Sequence, residues 1–398
     1  MNIYHPTTIT QTEMRNINRS AIFDYLRLAG TSSRAEIAQK LKISLPSVTR
    51  IMDQLLQSGL VHSVGLEKSE RGRSRELLEV NADDNLVIGI DLGGSHISGG
   101  LVNLGGEVLH EFHASTTHDR GEENYATLVS FLQSLLEQAE KQPARMLGIA
   151  IGVPGMLESR TGTVKLAPGL GWNDYPLLEK LERDIPASVI LENDVNLATL
   201  GEQWFGAGQG VRDLVMVAIG TGIGAGIILD GKLNRGFAEA SGEIGYFLPG
   251  VQFLNRQYPG FGALESVASG RGIVERATRR LVELGDSQKS SELHAVDVFQ
   301  AAQEGKPWAV ETIVETVDYL SLALANVTVC LDPELIILGG GVAGSAHMLI
   351  EPIKARLQGV IPRVPRIEES ALKGRAAILG AVTRVVQKHV DYLVVYNS

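Results

Sequence analysis

The sequence predicts an α/β protein: a winged helix-turn-helix at the amino end, followed by a body of two α/β lobes. Three observations predict it. Capped helical segments follow one another across the first sixty residues and lead into two strands around a polar tip. A strand, a Gly-rich turn and a second strand occur at VIGIDLGGSHISGGLVN and again at MVAIGTGIGAGIILDG. Between these repeats the strand-like run SVILE delivers Asn193 and Asp194 to the start of a helix.

In the head, Asn18 to Leu28 places Ile22, Tyr25 and Leu26 on one face and stops at Gly30. Ser33 is the expected N-cap of RAEIAQKL, with Glu36 completing a capping-box pattern. After the turn KIS, Ser44 caps LPSVTRIMDQLLQSG, with Pro46 near the helix start and Gly59 at its end. Val48, Ile51, Leu55 and Leu56 form the buried stripe, leaving Ser44, Pro46, Ser47, Thr49 and Arg50 to face a major groove. The strands that follow enclose a wing whose Arg71, Arg73 and Arg75 suit phosphates or a narrow minor groove.

A polar stretch at NADDNL marks a boundary. Residues 1–82 are expected to form the head, 83–200 the first lobe, completed by a C-terminal helix over 375–398, and 201–374 the second lobe. In the first lobe, Asp91 ends a strand and Gly93, Gly94 and Ser95 open a turn where backbone amides can approach a phosphate. An amphipathic helix over Tyr125 to Lys141 and the strand MLGIAIGVPG come next. In the second lobe the strand breaks at Gly220, Thr221, Gly222, Ile223 and Gly224 and then resumes. Helices from Gly270 to Leu284, Ala295 to Glu304 and Pro307 to Val329 precede PELIILGGG, whose Gly339, Gly340 and Gly341 form a third glycine turn. Two lobes of related design place a ligand in the cleft between them.

Charge follows the same division. The net charge is −10, yet residues 1–82 carry 11 Lys and Arg against 8 Asp and Glu, while the rest carries 25 against 38. A basic head on an acidic body suits contact with nucleic acid at one end only. No apolar run reaches the ~18 to 20 residues of a membrane helix, and the first residues lack the pattern of a signal peptide, so a cytoplasmic protein is expected. Cys330, the only cysteine, lies in an apolar stretch, where a buried thiol is expected and a Cys-rich zinc site is ruled out.

Set in order, these pieces resemble the ROK family (repressor, open reading frame, kinase), and specifically its regulator branch, which contains N-acetylglucosamine and xylose repressors. The resemblance implies an actin-like ATPase fold over residues 86–395. Asp91 to Ser95 and Gly220 to Gly224 match its phosphate motifs, and Gly339 to Gly341 match its adenosine motif. It also implies sugar contacts from Asn193, Asp194, Glu243 and Glu265, a wall from Gly171, Trp172 and Asn173, and a general-base role for Asp194 in a kinase. Operator DNA, a sugar effector and a dimer or tetramer follow as the implied partners.

The departures matter as well. Family members hold zinc with a His and three Cys around this site. Here Tyr246 stands at the His position and the following FLPGVQFLNRQYPGFGAL has neither residue, so no zinc and no required cofactor are expected. Apolar packing by Phe247, Leu248, Phe253, Leu254, Tyr258 and Phe261 is expected to hold that loop instead. His96 replaces a frequent Lys and Asn103 a frequent Asp. Two functions stand: a sugar-responsive repressor without catalysis, and an ATP- and Mg²⁺-dependent sugar kinase or a regulator with residual kinase activity.

Overall fold

In the computed structural model, residues 10–67, 74–117, 119–258, 261–285 and 293–390 are described. The first helix, α1 (Gln11–Ala29), starts earlier than its apolar face requires, because Thr10 and Glu13 cap it reciprocally. Ser33, in the short β1 (Ser32–Ser33), caps α2 (Arg34–Leu41) by accepting from the Glu36 amide at 3.3 Å. The expected box closes only halfway, since the Glu36 carboxylate accepts from the Tyr25 hydroxyl at 3.4 Å instead. Ser44 caps α3 (Leu45–Gln57), whose buried stripe is Val48, Ile51, Met52 and Leu55. Then β2 (Val61–Glu67) and β3 (Arg75–Val80) pair antiparallel, with β1 joining as the third strand. The wing tip, including Arg71 and Arg73, lies outside the described residues.

The first lobe is a five-stranded sheet in the order β11-β7-β4-β5-β6. The antiparallel strands β4 (Asn85–Leu92), β5 (His96–Asn103) and β6 (Val108–Ser115) lead through α4 (Gly121–Glu140) to β7 (Arg145–Val153). β7 runs parallel to β4, which requires a crossover of this kind. A small sheet of β8 (Met156–Glu158), β9 (Thr163–Ala167) and β10 (Trp172–Tyr175) follows. Next, α5 (Leu177–Asp184) leads to β11 (Val189–Asn193), which adds parallel to β7 and passes directly into α6 (Asp194–Phe205).

The second lobe repeats the plan. The hairpin β12 (Leu214–Ile219) and β13 (Ile223–Leu229), with β14 (Lys232–Leu233), precedes α7 (Glu265–Ala268), α8 (Gly270–Glu283), α9 (Ala295–Gln303) and α10 (Pro307–Leu331). Then β15 (Leu335–Gly339), α11 (His347–Leu357) and β16 (Arg366–Glu369) complete the sheet order β14-β13-β12-β15-β16. Finally α12 (Ala376–His389) returns to the first lobe and packs on β4, β5 and β7. It also crosses α6 at very short range. A Cβ on Gly380 would stand 1.7 Å from the Leu197 carbonyl oxygen, and one on Gly201 would stand 2.0 Å from that of Ala376. Only glycine permits that approach.

The apolar core of the head is continuous with that of the body. Ile22, Phe23, Leu26 and Ile51 belong to one apolar cluster with Val87, Val102, Leu147, Trp204, Ile378 and Val382 of the body. The polar boundary is part of the joint. Asn85 is fully buried and donates to the carbonyls of Gly59 and Asn81, both at 2.8 Å, while Arg145 donates to Ser58 O and Asn85 Oδ1, also at 2.8 Å.

Three expectations are corrected. Cys330 is exposed, because it falls on the outer side of the last turns of α10 despite its apolar neighbours. That helix is itself long and apolar enough to cross a membrane, with a mean hydropathy of 1.4, but it buries Ile313, Val317, Leu320 and Leu324 in the second lobe. In the loop after Tyr246, Phe253 is buried and Phe247 packs on the second core, whereas Leu248 and Leu254 are exposed.

Candidate functional site

Asn193 ends β11 at the carboxyl edge of the sheet and caps α6, its Oδ1 accepting from the Asn196 amide at 3.1 Å. Its Nδ2 donates to Gly155 O at 3.2 Å, so the side chain also pins the turn after β7. Asp194 is the first residue of α6 and accepts from the Val195 amide at 2.9 Å. Asp91, at the end of β4, and Glu243, from the segment after β14, press their negative charge upon it. Glu265 opens α7 and accepts from Ile223 N at 3.4 Å beneath Gly222 and Gly245, where a Cβ would stand about 3 Å from its carboxylate. Four carboxylates from both lobes therefore share one region.

Their proton affinities follow from that crowding. Burial, then the charge of Asp91, then that of Glu243 raise the Asp194 carboxyl to about 7. Burial raises Asp91 to about 6, against the pull of His96. Burial and Glu265 push Glu243 upward, and burial raises Glu265 although Ile223 N and Arg271 oppose it. Like charges held together in a partly dry site are stabilised by a ligand that offers several hydroxyl donors. Tyr246 lies beside them, its phenol raised by burial and then by Glu243 and Glu265, yet it is 54% exposed and its phenol is not among the side chains that hold zinc. With Tyr246 there and no Cys or His in the loop, the residues present do not fit a zinc site; among the described residues no group of His, Cys, Asp and Glu is arranged for a metal ion.

Gly171 adopts φ 71° against the Asp119 backbone, where any side chain would collide. Beside it Trp172 is buried, stacks on Tyr175 at 4.8 Å and donates to Gly121 O at 2.9 Å. Asn173 stands exposed on β10, and no hydrogen bond connects it to the carboxylates.

The glycine turns are brought together in part. Gly93 N donates to His96 O at 2.8 Å, closing the β4–β5 turn and leaving Gly94 and Ser95 exposed, with Gly94 facing Gly169. Across the cleft, Gly220 N donates to Gly222 O at 2.9 Å and Thr221 is exposed at the tip. Gly224 lies against Val195, next to Asp194, so this hairpin borders the carboxylates. Gly340, at φ 87°, folds the third turn onto Ile219, with Gly341 facing Gly220 and Gly339 buried at the strand end. Asn103 lies apart from them. It is buried and organises the β5–β6 hairpin through the amides of Gly105 and Glu107.

Residues with no motif tie the lobes. Glu192, fully buried, accepts from Arg235 of the second lobe (Nε 3.1 Å, Nη2 2.5 Å), from Arg384 at 3.2 Å and from Asn196 at 3.3 Å. Glu239 accepts from Ser159 N across the same gap. No recognisable spacing links Glu192 to Arg235 or Arg384, so only the fold could reveal the pairing.

On the head, Ser44, Pro46 and Arg50 are exposed and Ser47 and Thr49 half-buried at the amino end of α3. Pro46, Thr49 and Arg50 line an open groove with Leu45, Asp53, Gln54 and Gln57. Those four were not expected, although they follow the same helical stripe. Arg34 of α2 bonds Asp53 at 3.0 Å and also Glu76 of β3, fixing α3 against the wing sheet. Arg75 is exposed at the start of β3 opposite Glu67.

Comparison with known proteins agrees with this layout. The ROK family model matches residues 87–388, and a winged helix-turn-helix DNA-binding model matches residues 15–62. The chain is 31% identical over 392 residues to the xylose repressor of Caldicellulosiruptor bescii, covering 96% of this chain and 98% of that one. A ROK family transcriptional regulator described as a homologue of the E. coli MLC protein superposes with a TM-score of 0.82 at 27% identity, covering 96% of this chain and 98% of that one. A ROK glucokinase of Streptomyces griseus, solved with glucose and AMPPNP, matches with a TM-score of 0.66 at 29% identity over 76% of this chain and 99% of that one. A domain match across the whole body, joined to a helix-turn-helix match across the head, shows that the chain belongs to the ROK family and carries a winged helix-turn-helix DNA-binding domain.

Proposed function

We propose that this protein is a DNA-binding repressor of carbohydrate-utilisation genes whose operator affinity is set by a sugar held between the lobes. The observation that carries the reading is the joining of two sites in one packed body: a groove-facing helix on the head and a carboxylate-lined cleft behind it, with a continuous apolar core between them. Asn193, Asp194, Glu243 and Glu265 bind the hydroxyls, and Gly171, Asn173 and Tyr246 shape the rim. Ser44, Pro46, Ser47, Thr49 and Arg50 read the operator, and Arg71, Arg73 and Arg75 hold its phosphates. A homodimer places two α3 helices on half-sites one helical turn, or a multiple, apart. The effector is an aldose, the class named for the xylose repressor and present in the glucokinase complex.

The test is operator binding by fluorescence anisotropy with and without D-xylose, D-glucose and N-acetyl-D-glucosamine. A shift of about 5- to 150-fold with one of them is expected; equal affinity in all three would overturn the reading.

One observation favours a second reading. An Asp194 carboxyl raised to about 7 suits a general base near neutral pH, and the Asp91, Gly94 and Gly220 to Gly224 turns border it. ATP and Mg²⁺ would then be required. Release of ADP on mixing ATP, Mg²⁺ and an aldose, lost in Asp194→Asn, would establish a kinase activity.

A further inference from the structure

The head meets the body at the far end of the helix that begins in the cleft. α6 starts at Asp194 and runs 12 residues to Phe205, roughly 18 Å at 1.5 Å per residue. Its last turn offers the buried Trp204 to α1. Phe23 stacks on that indole at 6.3 Å between centroids, the Arg27 guanidinium lies 4.4 Å from the ring centroid, and Arg27 Nη1 donates to the Trp204 carbonyl at 2.9 Å. A cation on a carboxyl-terminal carbonyl is favoured by the helix dipole, and the cation–π contact adds to it.

Between its ends α6 is gripped by both lobes. It packs on β12 and β13 as well as on β7 and β11. Its Glu202, fully buried, accepts from Ser370 Oγ at 2.6 Å, Leu372 N at 2.9 Å and Ala207 N at 2.8 Å, which fastens it to the segment after β16. Gly201 and Gly380 press it to α12 backbone to backbone. A close-packed helix held in this way transmits displacement and does not absorb it. A polar attachment of the head lies elsewhere, where Gly59 and Ser58, just beyond α3, meet Asn85 and Arg145. The Trp204 joint sits on α6 and the polar joint on the first residues of β4 and β7, so a shift of α6 against those strands would tilt α1, and α3 with it.

We propose that Trp204 and Arg27 are positioning residues that carry the state of the cleft through α6 to the DNA-reading helix. This rests on the sugar-responsive function above and names the route by which it works. The rod predicts that damage to the Trp204 joint separates two properties that ordinary loss of stability would lower together.

The experiment uses the full chain and duplex DNA from upstream of its own gene. Operator affinity is measured with and without D-xylose, D-glucose and N-acetyl-D-glucosamine, and sugar binding is followed separately by thermal shift. For Arg27→Met and Trp204→Leu, the ratio of operator affinities with and without sugar is expected to fall at least fivefold toward one, while the sugar-induced thermal shift stays within a factor of two. Arg27→Lys, which keeps a cation above the indole, is expected to restore part of the ratio. A wild-type ratio retained in both Arg27→Met and Trp204→Leu overturns the rod and leaves the sugar-responsive function standing. A wild-type protein that binds the operator but responds to none of the three sugars overturns that function, and the rod with it.

Discussion

Asp194 holds its proton to about pH 7 in the fold against an ordinary 3.8, with burial and then Asp91 as the causes. A raised carboxyl destabilises the fold as its charge develops: the penalty is absent below about pH 4, grows as pH rises toward 7 and is complete above it. Asp194→Asn is therefore expected to stabilise the ligand-free protein, by up to a few kcal/mol at pH 8 and by almost nothing at pH 4. Thermal melts across that range check it, and a gain that grows on acidification would contradict the assigned environment. Glu243→Ala is expected to leave operator binding within about twofold and to abolish its modulation by sugar, since Glu243 touches the cleft and not the head. At the DNA face, Arg50→Ala should cost about 1–3 kcal/mol of operator affinity and relax base preference, with the melting temperature unchanged. Competition binding against single-base operator variants reads that result. Asp194 and Glu243 were singled out in the sequence by resemblance to the family's sugar-contact motifs, and Arg50 by its place near the start of a capped helix. Glu192, Arg235 and Arg384 were not, because a buried carboxylate shared by two arginines from distant segments leaves no local pattern.

Elements were legible where apolar periodicity agreed with capping, as in α2 and α3, or with a glycine turn, as in the β12–β13 hairpin. They were misjudged where a side chain found another partner. Glu36 gave up its box for Tyr25, and α1 gained its first turns from the Thr10 and Glu13 pair. The α6 and α12 crossing shows the same limit. Gly380 sits mid-helix, where propensity disfavours it, because the Leu197 carbonyl leaves no room for a Cβ. Gly380→Ala should accordingly destabilise the body by about 1–3 kcal/mol or more, against the gain of about 1 kcal/mol that helix propensity alone would give. Urea denaturation decides the sign.

For the whole molecule, charge and packing set opposite expectations for independence. A basic head on a body of opposite sign suggests two separable units, yet the apolar cluster runs through both. Calorimetry is expected to show the head unfolding together with the first lobe. A separate, earlier transition that disappears when residues 1–82 are removed would show the shared core to be weak. Operator affinity should fall steeply between 50 and 200 mM salt, and Arg75→Ala should lower the salt slope by about one if it meets a phosphate.

The sequence by itself determined the elements: a capped helix-turn-helix and strands broken by glycine turns, each specified by residue type and short-range spacing, while the carboxylates were picked out by resemblance to family motifs. Tertiary structure alone decided what those parts do to one another. Residues far apart in the chain came together as the joints: Arg27 with Trp204, Glu192 with Arg235 and Arg384, and Gly201 and Gly380 with their opposing backbones. Such contacts depend on three-dimensional proximity and the exclusion of water, and neither is written in any stretch of sequence short enough to read as a motif.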